Sequence, residues 1–148
     1  MSYWSSNIMY AKAYAQNYRQ IDLVAEVEQA SPHRLVAMLF EGFLTHVAKA
    51  KVATQTMDYE AKARNVQLAM DILVGLKGGL SNDASPELAE RLFELYDYCE
   101  RRLLDASARR DISGFEEVDM LIRQIKEAWD AIEPQVATGQ AVKMAATA

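Results

Sequence analysis

Ser31-Pro32-His33-Arg34-Leu35-Val36-Ala37-Met38-Leu39-Phe40 opens a helix in its first two residues and fills it with apolar side chains at once. A serine oxygen accepts from the free N–H groups of a first turn, and a proline at the first helical position lacks an N–H that would have no partner there. The same pair recurs at Ser85-Pro86. Working outward from these two starts, the sequence predicts four helices. The first runs from Pro32 to about Thr56 and breaks near Asp58. The second runs from about Tyr59 to Leu76, with Gly78-Gly79 placed to supply a left-handed C-terminal turn. The third runs from Pro86 to about Ala108, with Glu87 and Glu90 near the positive end of its dipole and Arg109-Arg110 beyond the negative end. Asp111 to Gly114 makes the next turn, and the fourth helix runs from about Ser113 to Ile132, closed by Pro134. Four helices with short connections predict an all-α fold, an antiparallel four-helix bundle over residues 31–132. An N-terminal leader, residues 1–30, is expected to hold a short helix or cap segment, and residues 133–148 to form a disordered C-terminal tail.

Composition narrows the function. A chain of 148 residues with 51% hydrophobic and 25% charged residues predicts one globular domain. Lys+Arg 16 against Asp+Glu 21 leaves a net charge of -5, which excludes a broad electrostatic grip on nucleic acid or anionic lipid. Gly 6 and Pro 3 are few for a turn-rich chain and favour helices over strands. The lone Cys99 excludes an intrachain disulfide and fits a reducing compartment. No window approaches 18 consecutive apolar residues, so membrane insertion is not expected. Met1 to Ala15 carries Tyr3, Trp4 and Asn7 where a secretory signal needs a basic start and an apolar stretch, and the expected location is the cytosol.

Helical periodicity separates the helices into two kinds. Advancing about 100° per residue, Phe115, Val118, Leu121, Ile122, Ile125, Ala128, Trp129 and Ile132 of the fourth helix fall within about 140°. Leu88, Leu92, Leu95, Tyr96, Cys99, Leu103 and Ala106 of the third fall within about 100°, with Phe93, Tyr98 and Leu104 off the stripe. The first helix differs. Leu35, Val36, Met38, Leu39, Phe40, Phe43, Leu44 and Val47 spread over about 240°, more than one bundle seam covers. The second, through Val66, Leu68, Met70, Ile72, Leu73, Val74 and Leu76, is similarly wide. Either both helices are central or covered by the leader, or they present a partner-binding surface; a removable leader satisfies both.

Chemistry of the catalytic kind has little to stand on. Neither His33 nor His46 has a glutamate three residues earlier, as a di-iron bundle requires, and there is no phosphate-binding glycine loop or dinucleotide fingerprint. No catalytic residue, metal, cofactor or small-molecule substrate is expected, and the protein is read as a non-enzyme. His33, after the Ser31-Pro32 cap, is expected to face solvent in the first turn. The alternative function is histidine phosphotransfer through His46, in the string Thr45-His46-Val47-Ala48-Lys49-Ala50, where alanine stands in place of the glycine of such domains. A packed or groove-lining histidine is the plainer reading.

Taken together, Tyr18-Arg19-Gln20-Ile21 and Ala30-Ser31-Pro32-His33-Arg34-Leu35-Val36-Ala37-Met38-Leu39-Phe40-Glu41-Gly42 closely resemble the N-terminal signature of the FliS-type flagellin export chaperones. Leu92-Phe93-Glu94-Leu95-Tyr96-Asp97-Tyr98-Cys99, Arg101-Arg102-Leu103-Leu104, Glu116-Glu117-Val118 and Ala128-Trp129 resemble that family's later helices. The resemblance implies a cytosolic chaperone that binds the C-terminal segment of flagellin and prevents its premature polymerisation. It also implies delivery to the type III export apparatus through a component of the export gate. It further implies that the segment before Ser31-Pro32, here Met9 to Tyr18, caps an apolar groove until flagellin displaces it. The expected partner-contacting residues are Tyr10, Tyr14, Tyr18 and Ile21 of the leader, with Leu35, Met38, Leu39, Phe40, Phe43 and Ile72 of the first two helices. Met1 to Ile8 extends beyond the family's usual start, and Phe43 takes a place often held by a small residue.

Overall fold

The computed structural model describes residues 29–80 and 86–132. They form four helices: α1 Pro32–Gln55, α2 Tyr59–Gly78, α3 Pro86–Arg109 and α4 Ile112–Asp130. The leader, with Tyr10, Tyr14, Tyr18 and Ile21, and the tail lie outside the described residues, as do the expectations placed on them.

Each start has a local cause. The Ser31 hydroxyl oxygen accepts from the Arg34 N–H at 3.1 Å, with Pro32 in the first turn. Asp58 caps α2 by accepting from the Ala61 N–H at 3.2 Å, and Asp111 caps α4 by accepting from the Ser113 N–H at 3.1 Å. The same two aspartates end the preceding helices. The Asp58 N–H bonds back to the Ala53 carbonyl at 2.8 Å and the Asp111 N–H to that of Ala106 at 2.9 Å, closing two Schellman turns. Such turns put one residue in the left-handed region, and here these are Met57 (φ 60) and Arg110 (φ 57) rather than glycines. The expectation for Gly78-Gly79 is corrected: α2 continues through Gly78, and Gly79 is right-handed (φ -85) because its N–H still reaches the Gly75 and Leu76 carbonyls.

α1 packs against α2 and α4, and α3 packs against the same two, so α1 and α3 stand diagonally across a square. The interior joins Leu39, Phe40, Phe43 and Val47 of α1 to Leu73 and Leu76 of α2, Leu92 and Leu103 of α3, and Phe115 and Ile122 of α4. Burying side chains of this size stabilises the fold by roughly 1.5–3 kcal/mol each. Cys99 sits in this interior with no exposed surface, and burial pushes its thiol up to about 12, so it is an inert core residue.

Both ends of the square are tied. Where α1 begins and α4 ends, His33 stacks on Trp129 at 5.0 Å, its Nε2–H donates to the Trp129 carbonyl at 2.8 Å, and Trp129 Nε1–H donates to the His33 carbonyl at 2.9 Å. His33 is therefore half-buried in a clasp rather than facing solvent, a pairing across the bundle that first-turn position does not reveal. At the turn end, Lys62 Nζ donates to the Ser107 carbonyl at 2.9 Å and the Arg110 guanidinium lies 4.6 Å over the Tyr59 ring, joining α2 to α3. Along the α3–α4 edge, Arg102 holds Glu117 at 2.7 Å and Asp111 at 3.1 Å, while Tyr98 donates to Glu117 at 2.6 Å.

Candidate functional site

Two stripes with alternating four- and three-residue spacing run along the outer side of the α1–α2 pair. On α1 and its C-cap they are Met38, Gly42, Thr45, Lys49, Val52 and Thr56; on α2 and its C-cap, running the other way, Ala61, Asn65, Leu68, Ile72, Gly75 and Gly79. At about 100° per residue each set stays within about 80°, so the stripes form two walls of one trough. Near the turns the trough is open. Ala48, Lys49, Val52 and Ala53 face Ala61 and Asn65 around a hollow of about 440 Å³. Val52 is 55% exposed. Toward the other end the same stripes are closed over: Met38, Gly42, Ile72 and Gly75 are all buried.

A buried polar pair lies under the open half. His46, 2% exposed, donates through Nδ1–H to the Asn65 side-chain oxygen at 2.9 Å, and Asn65 Nδ2 donates to the Ala61 carbonyl at 2.9 Å. Burial lowers the pKa of His46 below its ordinary 6.5; the bond to Asn65 opposes this and the charge of Lys49 adds to it. The imidazole is held neutral in one tautomer. In-line phosphoryl transfer needs a histidine that a donor can approach, so this burial removes the phosphotransfer alternative. Among the described residues no group of three or more His, Cys, Asp or Glu is placed to hold a metal ion, and no helix is long and apolar enough to cross a membrane.

The residues expected from sequence divide cleanly. Leu39, Phe40, Phe43 and Ile72 belong to the core cluster, and Phe40 meets Trp129 edge-on at 6.4 Å. Leu35 and Met38, at 3% and 2% exposed, are buried yet stand outside that cluster, as does Ala37. The structure adds Lys49, Val52, Ala53, Ala61 and Asn65, which a search for large apolar residues passes over because trough walls are built from small and polar ones. Their signal in the sequence is the four-three spacing itself.

A family model described as flagellar protein FliS matches residues 12–136. The chain is 39% identical over 128 residues to the flagellar secretion chaperone FliS of Salmonella typhimurium, covering 86% of this chain and 95% of that one. It is 38% identical over 122 residues to the flagellar secretion chaperone FliS of Escherichia coli K12, covering 82% and 90%. It is 35% identical over 124 residues to the flagellar secretion chaperone FliSB of Pseudomonas aeruginosa, covering 84% and 98%.

Proposed function

This chain belongs to the FliS family of flagellar proteins, and from that premise we propose that it is a secretion chaperone that holds the C-terminal segment of flagellin in the cytosol, keeps it from polymerising, and presents it to a component of the export gate. The observation that carries this reading is the α1–α2 trough: two walls in heptad spacing that mix small, polar and apolar side chains and enclose an open hollow near the turns. An amphipathic helix lays its apolar face into such a seam by the packing that joins helices in a coiled coil. A client that is disordered when free must be ordered on binding, and only a long apolar contact offsets that entropy. The trough stripe on α1 extends from Met38 to Thr56, roughly 27 Å at 1.5 Å per residue, enough for five turns of client helix.

Leu35 and Met38 support the second element of the proposal, a removable cover. Both are buried outside the core cluster, on α1, whose apolar arc is wider than a single bundle seam. We assign the covering role to Tyr10, Tyr14, Tyr18 and Ile21 of the leader, with Leu35 and Met38 as the surface passed to flagellin when the cover leaves. Leu39, Phe40, Phe43 and Ile72 act from beneath, fixing the shape of the trough.

Calorimetry with a peptide of the flagellin C-terminal segment tests the function. Binding at micromolar concentration or tighter, with a negative heat-capacity change, is expected; no heat at tens of micromolar would overturn it. A chain lacking residues 1–18 is expected to keep its helix content and to bind more apolar dye. Unchanged dye binding would remove the cover from the proposal.

A further inference from the structure

Beneath the hollow, the seam between α1 and α2 holds a polar pair where two apolar side chains would pack as well. His46 and Asn65 are 2% and 7% exposed, and their neighbours along the same helices, Val47 and Ala50 on α1 and Val66 and Ala69 on α2, belong to the apolar core. Replacing both members of a buried polar pair by apolar groups of similar shape is often neutral or stabilising, so such a bond is better explained by what it specifies than by what it adds to stability. In coiled coils a single buried polar position fixes which residues stand opposite each other. We infer that His46 and Asn65 are positioning residues for client binding: their bond sets the register of the α1 wall against the α2 wall, and with it the shape of the trough that the client meets. The inference rests on the chaperone reading and adds the residues that hold its site in shape.

The geometry of the pair suits that role. Apolar contacts between two helices are non-directional and tolerate sliding. The His46–Asn65 bond, at 2.9 Å, does not, since a slide of half a turn, about 2.7 Å, is enough to break it. Asn65 is itself held in place. Its Nδ2 donates to the Ala61 carbonyl one turn earlier on α2 at 2.9 Å, which fixes the side-chain amide and leaves its oxygen turned to α1. Asn65 and Ala61 also line the hollow, facing Lys49 and Val52, which stand one and nearly two turns beyond His46 on the α1 wall. The bond in the floor and the walls above it thus belong to the same turns of each helix, and a change in one displaces the other.

Calorimetry of the full chain with the flagellin C-terminal peptide, read beside denaturant melts, tests the assignment, because affinity and stability are expected to move in opposite directions. His46→Leu combined with Asn65→Leu exchanges the polar pair for an apolar one; its denaturant midpoint is expected to match or exceed that of the parent, and its affinity to fall about tenfold or more. His46→Asn puts an amide N–H where Nδ1–H stands and leaves the rest of the ring's space empty. Its midpoint is expected to fall, yet it is expected to bind at least about threefold more tightly than the double variant. Ile122→Val removes one methyl from the α4 side of the core and is expected to lower the midpoint while changing the affinity less than about twofold. Parental affinity in the double variant overturns the inference. So does a His46→Asn chain that binds no better than the double variant, or an affinity that follows the midpoint through every variant, Ile122→Val included, which would reduce the pair to a stabilising contact. Should the double variant fail to fold, Asn65→Leu alone, which keeps the ring and removes its acceptor, takes its place, and His46→Asn is again expected to bind more tightly. A parental chain that does not bind the peptide overturns the chaperone reading itself, a separable result.

Discussion

α1 and α3 are diagonal partners of equal length, 24 residues each, and they bury their surfaces in opposite ways. On α3 the buried residues, Ala89, Leu92, Tyr96, Cys99, Leu103 and Ala106, fall within about 100°. On α1 they run from Met38 through Leu39, Phe43 and Phe40 to Leu44 and Ala37, about 260° of the circumference. In a square bundle each helix has two neighbours, and a stripe near 100° suffices for both. The wider arc on α1 goes with more extensive packing against α2 and α4 than α3 makes with the same two helices. α3 closes its edges instead with charge, through Arg102, Glu117 and Asp111, and through Lys77 with Glu100.

The sharpest way to break this contrast is to cut the same side chain from each helix. Phe43→Ala removes a ring with no exposed surface from the centre of the core and is expected to destabilise the fold by about 3–5 kcal/mol in denaturant melts. Phe93→Ala removes a ring that is 47% exposed, with Lys77 Nζ 5.2 Å from its centre, and is expected to lose less than about 1 kcal/mol. Similar losses would mean that α3 is as broadly packed as α1. Next in size is Gly114→Ala. The α3–α4 seam is narrow because these helices come close: a Cβ on Gly114 would lie 2.5 Å from that of Ala106 and 2.9 Å from Arg102 Nη1. The backbone must shift and the Arg102 pairs with Glu117 and Asp111 must move with it, for an expected loss of about 1–3 kcal/mol. Parental stability in that variant would show that the seam yields easily.

The α1–α2 side carries a histidine titration, whereas the shifted groups of the α3–α4 edge are carboxylates, Asp111 held low by Ser113 and Arg102 and Glu117 by Tyr98 and Arg102. Folded His46 binds its proton more weakly than the ordinary value of 6.5, so as pH falls the unfolded chain protonates first. Its contribution is complete above about pH 6.5 and is lost below it, until the folded imidazole itself titrates. Denaturant midpoints of the parent are expected to fall between about pH 7 and 5.5, and His46→Gln to flatten that dependence, at a maximum slope of about 1.4 kcal/mol per pH unit. Equal slopes in parent and variant would place the pH sensitivity elsewhere.

What could be read from the sequence follows the same division. Ser31-Pro32, Asp58 and Asp111 are local signals, and the helices begin beside them. The unequal apolar arcs were legible too, since periodicity needs no tertiary information. The His33–Trp129 clasp was not, because its partners are 96 residues apart and each satisfies the other's backbone carbonyl. The trough walls escaped for a different reason: a count of large apolar residues ranks Phe40 and Phe43 highest, and those turn into the core, whereas the outer walls need glycine, alanine and threonine to let another helix approach. Large size marks the interior of a bundle, whereas the residues around the hollow beside α1 and α2 are mostly small or polar.

The smallest expected effect compares the two turns. Met57 and Arg110 occupy the left-handed region at nearly the same φ, and each pays roughly 1 kcal/mol for its Cβ there. Met57 is 71% exposed, so Met57→Gly removes the steric penalty and adds only the greater freedom of glycine in the unfolded chain, for an expected net gain of about 0.5 kcal/mol. Arg110→Gly removes the same penalty but also the guanidinium that lies over Tyr59 and links α2 to α3. An exposed cation–π contact contributes about 0.5–1 kcal/mol, which cancels the relief, and stability is expected to stay level. Parallel denaturant melts decide it. Equal gains from both substitutions would show that the Arg110–Tyr59 contact contributes nothing to the fold. The turn joining α3 to α4 would then hold no more structure than the turn beside the trough.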